Sequence, residues 1–353
     1  MNDSNGPVKF IISPALEFSA AMLIMSNAGK NMALAEETGV APDEKLFELG
    51  RYAAGKCSSF LQKEMHFFMD QDKWSLPHIS PINSLPFRFA LENPAVDSVP
   101  DLIRCVEAAE EGQLLAILGR EAFGGKSDIT TDAFFKKAHS LPPEEAVLKQ
   151  KLLECLENPA ETLKRLAFVM KQFYDSAYGS FEEGILLETS LYRDKYEELF
   201  KKDPFQFAGD YFNADISGGK KQLRVFVSFF MQAGILAFPG TSGHPDCFIM
   251  GIHSEKRFGS QFIRAKLLNF YKLLSDEKRF ELLELLSERP RYVNELAEQL
   301  GLAAPTVSHH LNYFIRSGLV KSSREHHRQY YALDGEKARD LLDASVRLFL
   351  KGR

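Results

Sequence analysis

Cysteine is scarce and scattered. The chain has four, Cys57, Cys105, Cys155 and Cys247, with no CxC or CxxC pair among them. That spacing argues against a disulfide framework and against a cysteine zinc site, and it suits a reducing cytosol. Long hydrophobic runs are missing too. The apolar stretch from Phe10 to Met25 is interrupted by Pro14 and Glu17, and no basic run precedes it, so it does not read as a signal peptide. Val225 to Phe238 carries no charge, but its 14 residues before Pro239-Gly240 fall short of the roughly 20 that a spanning helix needs. Two buried strands around Gly234 fit it better, and no membrane partner is expected. Internal repeats, low-complexity segments and a long disordered linker are also absent, and no convincing catalytic set emerges, so the chain is not expected to be an enzyme.

What is present is an ordinary globular balance of 45% apolar and 26% charged residues over 353 positions, enough for two or three domains. Phenylalanine, at 29 copies, points to aromatic-rich cores. The net charge of −5 is unevenly spread. From Lys266 onward 15 Lys and Arg face 12 Asp and Glu, a balance of +3, which leaves −8 on the first 265 residues. The same C-terminal stretch holds four of the nine histidines. A mildly basic end on an acidic body places any polyanion at the C-terminus.

The expected architecture is mainly α with small β elements: a helical N-terminal domain with a small sheet over 1–258, and a second domain over 262–353. Strand is expected at Val8–Ser13, and helix from Pro14 to about Ala28, from 42 to 72, and over 99–119, 130–139, 144–178 and 181–202, where apolar residues recur at three and four spacing. The three prolines between Trp74 and Pro86 predict a loop or successive turns. "KQLRVFVSFF", "ILAFPG" and "CFIMGIHSE", divided by "GTSGHPD", carry a strand, turn and strand signature.

The last 90 residues are the most informative. Ser275 is a plausible N-cap for a helix with Phe280, Leu283 and Leu286 on one face, ended by Pro290. Val293, Leu296, Ala297 and Leu300 make a short amphipathic helix that Gly301 stops, and Pro305 opens another. A short helix, a tight glycine turn and a second helix is the helix-turn-helix pattern. In the second helix Val307, Leu311, Phe314 and Ile315 are expected to face inward. The opposite face, Thr306, Ser308, His309, Asn312, Tyr313 and Arg316, has no acidic residue and offers the groups that hydrogen-bond base edges and phosphates. Val320–Ser323 and Arg328–Leu333 read as two strands of a wing whose Lys321, Arg324 and Arg328 can approach phosphates. A last helix near 336–350 puts Ala338, Leu341, Leu342, Ser345 and Leu348 or Phe349 on a stripe that can pack on a twin.

On these residues the segment resembles the winged helix-turn-helix domain of the ArsR-type regulators. The matching positions are Leu274, the helix bearing Arg279, Leu282 and Leu286, then Glu295-Leu296-Ala297, Thr306 through Leu311, Gly318-Leu319-Val320, and Arg328 through Leu333, about 80 of the 353 residues. The resemblance implies a cytoplasmic, dimeric DNA-binding protein, usually a repressor released by its ligand. It carries DNA contact to Thr306, Ser308 and His309, and wing contact to the tip from Arg324 to Arg328. The sequence departs from the metal-sensing members: "YVNELAEQL" has no cysteine, and "EKARDLLDASVRLFLKGR" has neither histidine nor cysteine. No metal and no cofactor is therefore expected. The long acidic N-terminal region is additional to that resemblance.

The adjacent pair His309 and His310 invites a metal reading, but neighbouring helical residues point about 100° apart and do not readily share one ion. His309 is expected to contact DNA and His310 to be partly buried at the edge of the face. An imidazole is tolerable beside phosphates whether neutral or charged, so binding is expected to tighten at lower pH.

Three other stretches imitate functional motifs. Leu114–Asp128 nearly makes a phosphate loop, but Arg120 stands where the first glycine is needed, and a surface loop is expected. His244, Asp246, Cys247 and His253 lie within ten residues, yet a turn feeding a strand explains them. "GTSGH" lacks the second glycine of a nucleophile elbow. The Phe and Met residues of the N-terminal domain are expected to be core rather than an effector pocket.

The leading expectation is a sequence-specific transcriptional regulator, a ligand-responsive repressor that binds a pseudo-palindromic operator in double-stranded DNA as a homodimer and answers to an unidentified small-molecule effector. The alternative is an enzyme or sensor in the N-terminal domain, with the winged helix as its readout or as an assembly module.

Overall fold

A computed structural model describes residues 8–27, 40–70, 79–123, 130–142, 145–212, 223–240, 246–258, 260–325 and 328–350. The chain divides into two compact units, Met1–Arg257 and Phe258–Arg353.

The first unit holds β1 (Val8–Ile11), α1 (Pro14–Ser26), α2 (Glu44–Lys56), α3 (Ser59–Met69), α4 (Leu85–Glu92), α5 (Val99–Glu107), α6 (Glu111–Phe123), α7 (Thr131–His139), α8 (Ala146–Glu157), α9 (Pro159–Ser176), α10 (Glu182–Lys202) and α11 (Pro204–Phe212), then β2 (Leu223–Ser228), β3 (Ile235–Phe238) and β4 (Asp246–Gly251), and α12 (Glu255–Phe258) ends one residue past its boundary. The strands form one sheet in the order β1-β2-β4-β3. β1 and β2 are parallel, as are β2 and β4, and β3 runs antiparallel to β4. The small sheet expected near the end of this unit therefore takes a strand from its beginning. No pattern in β2 announces that partner, because a strand in a buried parallel sheet is apolar on both faces.

Helix α1 is the axis of the unit. Ala15, Phe18, Ala20, Ala21, Met22 and Leu23 are fully buried, and α1 packs against α3, α4, α5, α10 and β2. Its composition is apolar on every side, as expected of a helix with no solvent face. Phe18, Phe173, Tyr178, Phe229 and Phe230 form a buried aromatic cluster beside it, so these rings are core.

Several expected helices are divided. The pattern over 42–72 breaks at Cys57, where the Ser58 hydroxyl accepts the Leu61 amide at 3.2 Å and starts a new helix. The pattern over 144–178 breaks at Asn158, because the ring of Pro159 disfavours helical backbone at the preceding residue. The pattern over 99–119 is interrupted at Ala108, and helix resumes at Glu111. Within the expected loop the chain turns helical at Leu85, with Pro86 in its first turn; Trp74–His78 lies outside the described residues. Helix α11 carried no expectation. Leu114–Phe123 is helical, whereas a phosphate loop follows a strand, and 124–129 lies outside the described residues.

One buried carboxyl ties the two ends of this unit together. Glu17, in the first turn of α1, accepts the amides of Phe229 and Phe230 on Oε1 at 2.9 and 3.2 Å. Those amides follow β2, more than 200 residues away in sequence. Complete burial pushes the Glu17 carboxyl up to about 8, although the bonds from Ser228, Phe230 and Phe229 oppose that shift. The turn that supplies the amides also explains Gly251, whose absent Cβ would stand 1.9 Å from the carbonyl oxygen of Gln232. The folded value of Glu17 lies above its unfolded one. The resulting penalty is absent below about pH 4.5, grows as pH rises, and is complete above about pH 8. Melting of the first unit is therefore expected to lose on the order of a few kcal/mol between pH 5 and pH 8. Glu17→Gln keeps the acceptor and should flatten that dependence. A melting curve whose pH dependence is the same in both proteins would assign it to another group.

The second unit contains α13 (Ser260–Leu274), α14 (Glu277–Glu288), β5 (Arg291–Tyr292), α15 (Val293–Leu300), α16 (Ala304–Arg316), β6 (Val320–Glu325), β7 (Arg328–Leu333) and α17 (Gly335–Phe349). Its sheet runs β5-β7-β6, all antiparallel. Its own core joins Leu267, Leu282, Leu286, Leu296, Val307, Leu311, Phe314 and Leu341. The N-cap of α14 is Asp276, whose side chain accepts the Arg279 amide at 3.0 Å, and not Ser275, whose hydroxyl donates to Lys272 at the end of α13. Leu282, Leu283 and Leu286 point inward, and Phe280 is 48% exposed.

Candidate nucleic-acid interface

The turn between α15 and α16 is set by Gly301, whose φ of 62° lies in the left-handed region that a residue with Cβ enters at a cost. The Leu302 amide returns to the Ala297 carbonyl at 3.0 Å and closes α15. Ala304 then starts α16, with Pro305 in its first turn.

Val307, Leu311 and Phe314 of α16 are buried in the unit's core. Ile315, expected beside them, is 39% exposed, since it lies one residue and so about 100° past Phe314. With that face buried, Thr306, His309, Asn312 and Tyr313 are exposed and Ser308 is half-buried. Arg316 ends the helix, and its side chain lies outside the described residues. From Ala304 to Arg316 there is no acidic side chain.

β6 and β7 form the wing, with Glu325 opposite Arg328 at its outer end. The tip at 326–327 and the side chain of Arg324 lie outside the described residues. Arg328 is exposed, and its guanidinium lies 5.2 Å from the ring centre of Tyr292. Lys321 has a partner already: its ammonium is 2.8 Å from the Asp334 carboxylate, and that bond holds Lys321 above its ordinary value. Asp334 also caps α17 through the Lys337 amide, so Lys321 fastens the base of the wing to that helix. Arg291 is buried and satisfied by the Leu285 carbonyl, Glu288 and Glu295, which locks β5 to α14 and α15.

His310 is half-buried, as expected. Its Nδ1 accepts a hydrogen bond from Nε of Arg279 at 3.3 Å. The Arg279 guanidinium lies 4.6 Å from the ring centre of Tyr313, and Tyr313 meets the His309 ring edge to face at 4.8 Å. Arg279 was not among the expected site residues. It lies 31 residues before His310 on a different helix, and only the packing of α14 on the reading helix brings it there.

The expected stripe on α17 is shared between two surfaces. Leu341 and Ser345 are buried in the unit's own core, and Ala338 and Leu348 pack partly against it. Leu342, Val346, Phe349 and Leu350 are each more than half exposed. On α13, Leu268 and Tyr271 are exposed as well, and the Tyr271 and Phe349 rings lie 6.4 Å apart, so the two helices present one apolar patch.

The other suspected constellation does not assemble. Cys247 is buried, and burial pushes its thiol up. His253 lies past the other end of β4, 3.7 Å from Asp43, with its value lowered by burial. His244 lies outside the described residues. Among the described residues no group of three His, Cys, Asp or Glu side chains could hold a metal ion, and no helix is long and apolar enough to cross a membrane.

These features define a winged helix-turn-helix unit with an exposed reading helix. The family model described as "Bacterial regulatory protein, arsR family" matches residues 276–322, from the cap of α14 into β6. The HTH-type transcriptional regulator KmtR of Mycobacterium tuberculosis is 37% identical over 80 residues, 23% of this chain and 62% of that protein. The transcriptional repressor SdpR of Bacillus subtilis is 27% identical over 84 residues, 24% of this chain and 93% of that protein. The cadmium resistance transcriptional regulatory protein CadC of Listeria innocua is 31% identical over 106 residues, 28% of this chain and 89% of that protein. The chain thus spans less than two thirds of the mycobacterial relative, and none of the three covers more than 28% of it. Through its C-terminal unit the chain belongs to the arsR family of bacterial regulatory proteins.

Leu311→Ala is expected to destabilise the second unit by about 2–5 kcal/mol, while Asn312→Ala one position on changes stability by no more than about 0.5 kcal/mol. Denaturant unfolding of both variants checks the assignment, and equal losses would place Asn312 inside.

Proposed function

We propose that this protein is a DNA-binding transcriptional regulator that works as a repressor, in the cytoplasm, by binding and not by catalysis. The observation that carries the reading is the exposed, acid-free face of α16 beside a wing that bears Arg328. Thr306, Ser308, His309, Asn312 and Tyr313 offer hydroxyl, amide, imidazole and phenol groups suited to base edges in a major groove. Arg316, Lys321, Arg324 and Arg328 supply attraction to phosphates, Lys321 least because Asp334 already engages it. The repressor assignment follows the similarity to the transcriptional repressor SdpR of Bacillus subtilis.

The protein acts as a homodimer. The patch of Leu268, Tyr271, Leu342, Val346 and Phe349 suits a second copy across a two-fold axis, where the same surface serves both partners. Two recognition helices then meet successive major grooves about 34 Å apart on a pseudo-palindromic site. The first unit is the seat of an effector, a small molecule whose binding alters DNA affinity.

Binding of the purified protein to duplex DNA from upstream of its own coding region, against random DNA across a salt series, tests this reading. Selective binding that weakens steeply with salt is expected. Arg328→Ala should lower affinity for all sequences alike and reduce the salt slope by about one. Asn312→Ala should relax base preference by about 1–3 kcal/mol. Equal affinity for both DNAs at every salt concentration would sink the reading.

The dimer has its own check. A Leu342→Glu, Phe349→Glu double variant is expected to sediment as a monomer and to bind the upstream DNA at least about tenfold more weakly, since burying two unpaired carboxylates at such a patch is costly. A dimer that survives the change would move the interface elsewhere.

A further inference from the structure

Arg279 stands outside the helix-turn-helix pair, yet its side chain spends its polar reach on the reading helix. Its main-chain amide is committed to the Asp276 cap. The side chain makes two contacts with α16: Nε donates to Nδ1 of His310 at 3.3 Å, and the guanidinium plane lies 4.6 Å from the Tyr313 ring centre. Tyr313 in turn holds the His309 ring edge to face at 4.8 Å, with 78° between the planes. His310 and Tyr313 are three residues apart, and His309 and Tyr313 four, so all three occupy neighbouring positions on one helix surface. A single guanidinium thus links the half-buried edge of that surface to its exposed face.

The chemistry of this link is one-directional. A guanidinium carries donors only, and an imidazole accepts only through a nitrogen without a proton. The bond therefore requires a neutral His310 with its proton on Nε2. A protonated His310 has no acceptor to offer and places a second positive charge beside Arg279. The flat guanidinium then loses the anchor that keeps it over Tyr313.

We propose that Arg279 is a positioning residue for sequence reading: neutral His310 holds Arg279, Arg279 holds Tyr313, Tyr313 sets the orientation of His309, and proton uptake by His310 releases the chain and lowers selectivity. The proposal rests on the reading of α16 as the DNA-reading helix. The charged and titratable groups that face His310 are Arg279 and Asp276 from α14 and His309 from its own helix. Burial, then Arg279, then His309 disfavour the proton, and Asp276 favours it, with the balance on the neutral side. The link is intact above about pH 6.5, the ordinary histidine value, and opens only below it. This is separate from the tightening in acid expected of imidazoles near phosphates, because it acts on selectivity and not on general affinity.

The experiment measures the dissociation constants of the full-length protein for the upstream duplex and for random duplex, over a salt series and from pH 5.5 to pH 8. Their ratio is the selectivity, and it cancels the general gain in attraction to phosphates at low pH. Wild-type selectivity is expected to be flat above about pH 7 and to fall roughly 2–10-fold toward pH 5.5, a part of the roughly 5–70-fold that one exposed cation–π contact with one hydrogen bond is worth. Arg279→Gln should show the reduced selectivity at every pH, with the salt slope unchanged, because a positioning residue neutralises no phosphate. His310→Asn, whose side-chain oxygen can accept as Nδ1 does but does not titrate, should keep the selectivity flat through acid while His309 remains in place. A salt slope reduced by about one in Arg279→Gln at unchanged selectivity makes Arg279 a phosphate contact and overturns the proposal. Loss of affinity for both DNAs in step with a lowered melting temperature makes it a folding residue and overturns it equally. An acid response in His310→Asn equal to the wild type overturns the proton step. A wild-type protein without selective binding overturns the DNA reading itself, and this proposal with it.

Discussion

Burial of Val307, Leu311 and Phe314 is the constraint on which the reading surface depends. A helix of 13 residues has no preferred face until part of it is committed to a core, and these three side chains commit it. Each successive residue turns about 100°, so once they point inward the directions of Thr306, His309, Asn312 and Tyr313 are no longer free. Gly301 sets where α16 begins, and the buried, fully satisfied Arg291 keeps α14, α15 and β5 together beneath it. Core packing, turn chemistry and a buried ion network therefore act on one quantity, the orientation of a polar helix face.

Electrostatics divides the labour along the chain. The reading helix has no carboxylate, while the first 265 residues carry a balance of −8. A polyanion is drawn to the C-terminal unit and repelled by most of the rest. Within that unit the cations are not equivalent. Arg291 and Lys321 are held by carboxylates and serve the fold, Arg279 is turned onto the reading helix, and Arg328 is exposed beside a tyrosine ring. Counting positive residues alone overstates the charge available to a partner.

The C-terminal unit was largely legible in the sequence because its signals are local. Periodicity, a stop at glycine, a proline restart and two alternating runs fix its elements without long-range information. The misplacements there were small and had local causes. Asp276 outcompetes Ser275 as the cap because Ser275 is used by the preceding helix, and Phe280 and Ile315 lie one helical step beyond the buried sector. The first unit was less legible because its organising contacts are distant. Nothing in Val8–Ile11 indicates that it pairs with Leu223–Phe226, and nothing in Glu17 indicates that its partners are Ser228, Phe229 and Phe230. The link from Arg279 to His310 belongs to the same class: each residue is visible in its own helix, but nothing there joins the two, and the geometry exists only once the helices pack.

The two units also differ in how they treat buried ionisable groups. In the second unit a buried arginine meets carboxylates and a carbonyl, so its charge is compensated and its value in the fold is geometric. In the first, Glu17 is buried with amide donors and, among the described residues, no cation beside it, and its carboxyl favours the proton at neutral pH. A neutral carboxyl of this kind joins α1 to the turn after β2 without a buried charge, but the join weakens as the medium becomes alkaline. His310 weakens its own link in acid. The two units therefore favour opposite ends of the pH scale: the stability of the first falls as pH rises from about 4.5 to about 8, whereas the reading face of the second is complete only above the ordinary histidine value.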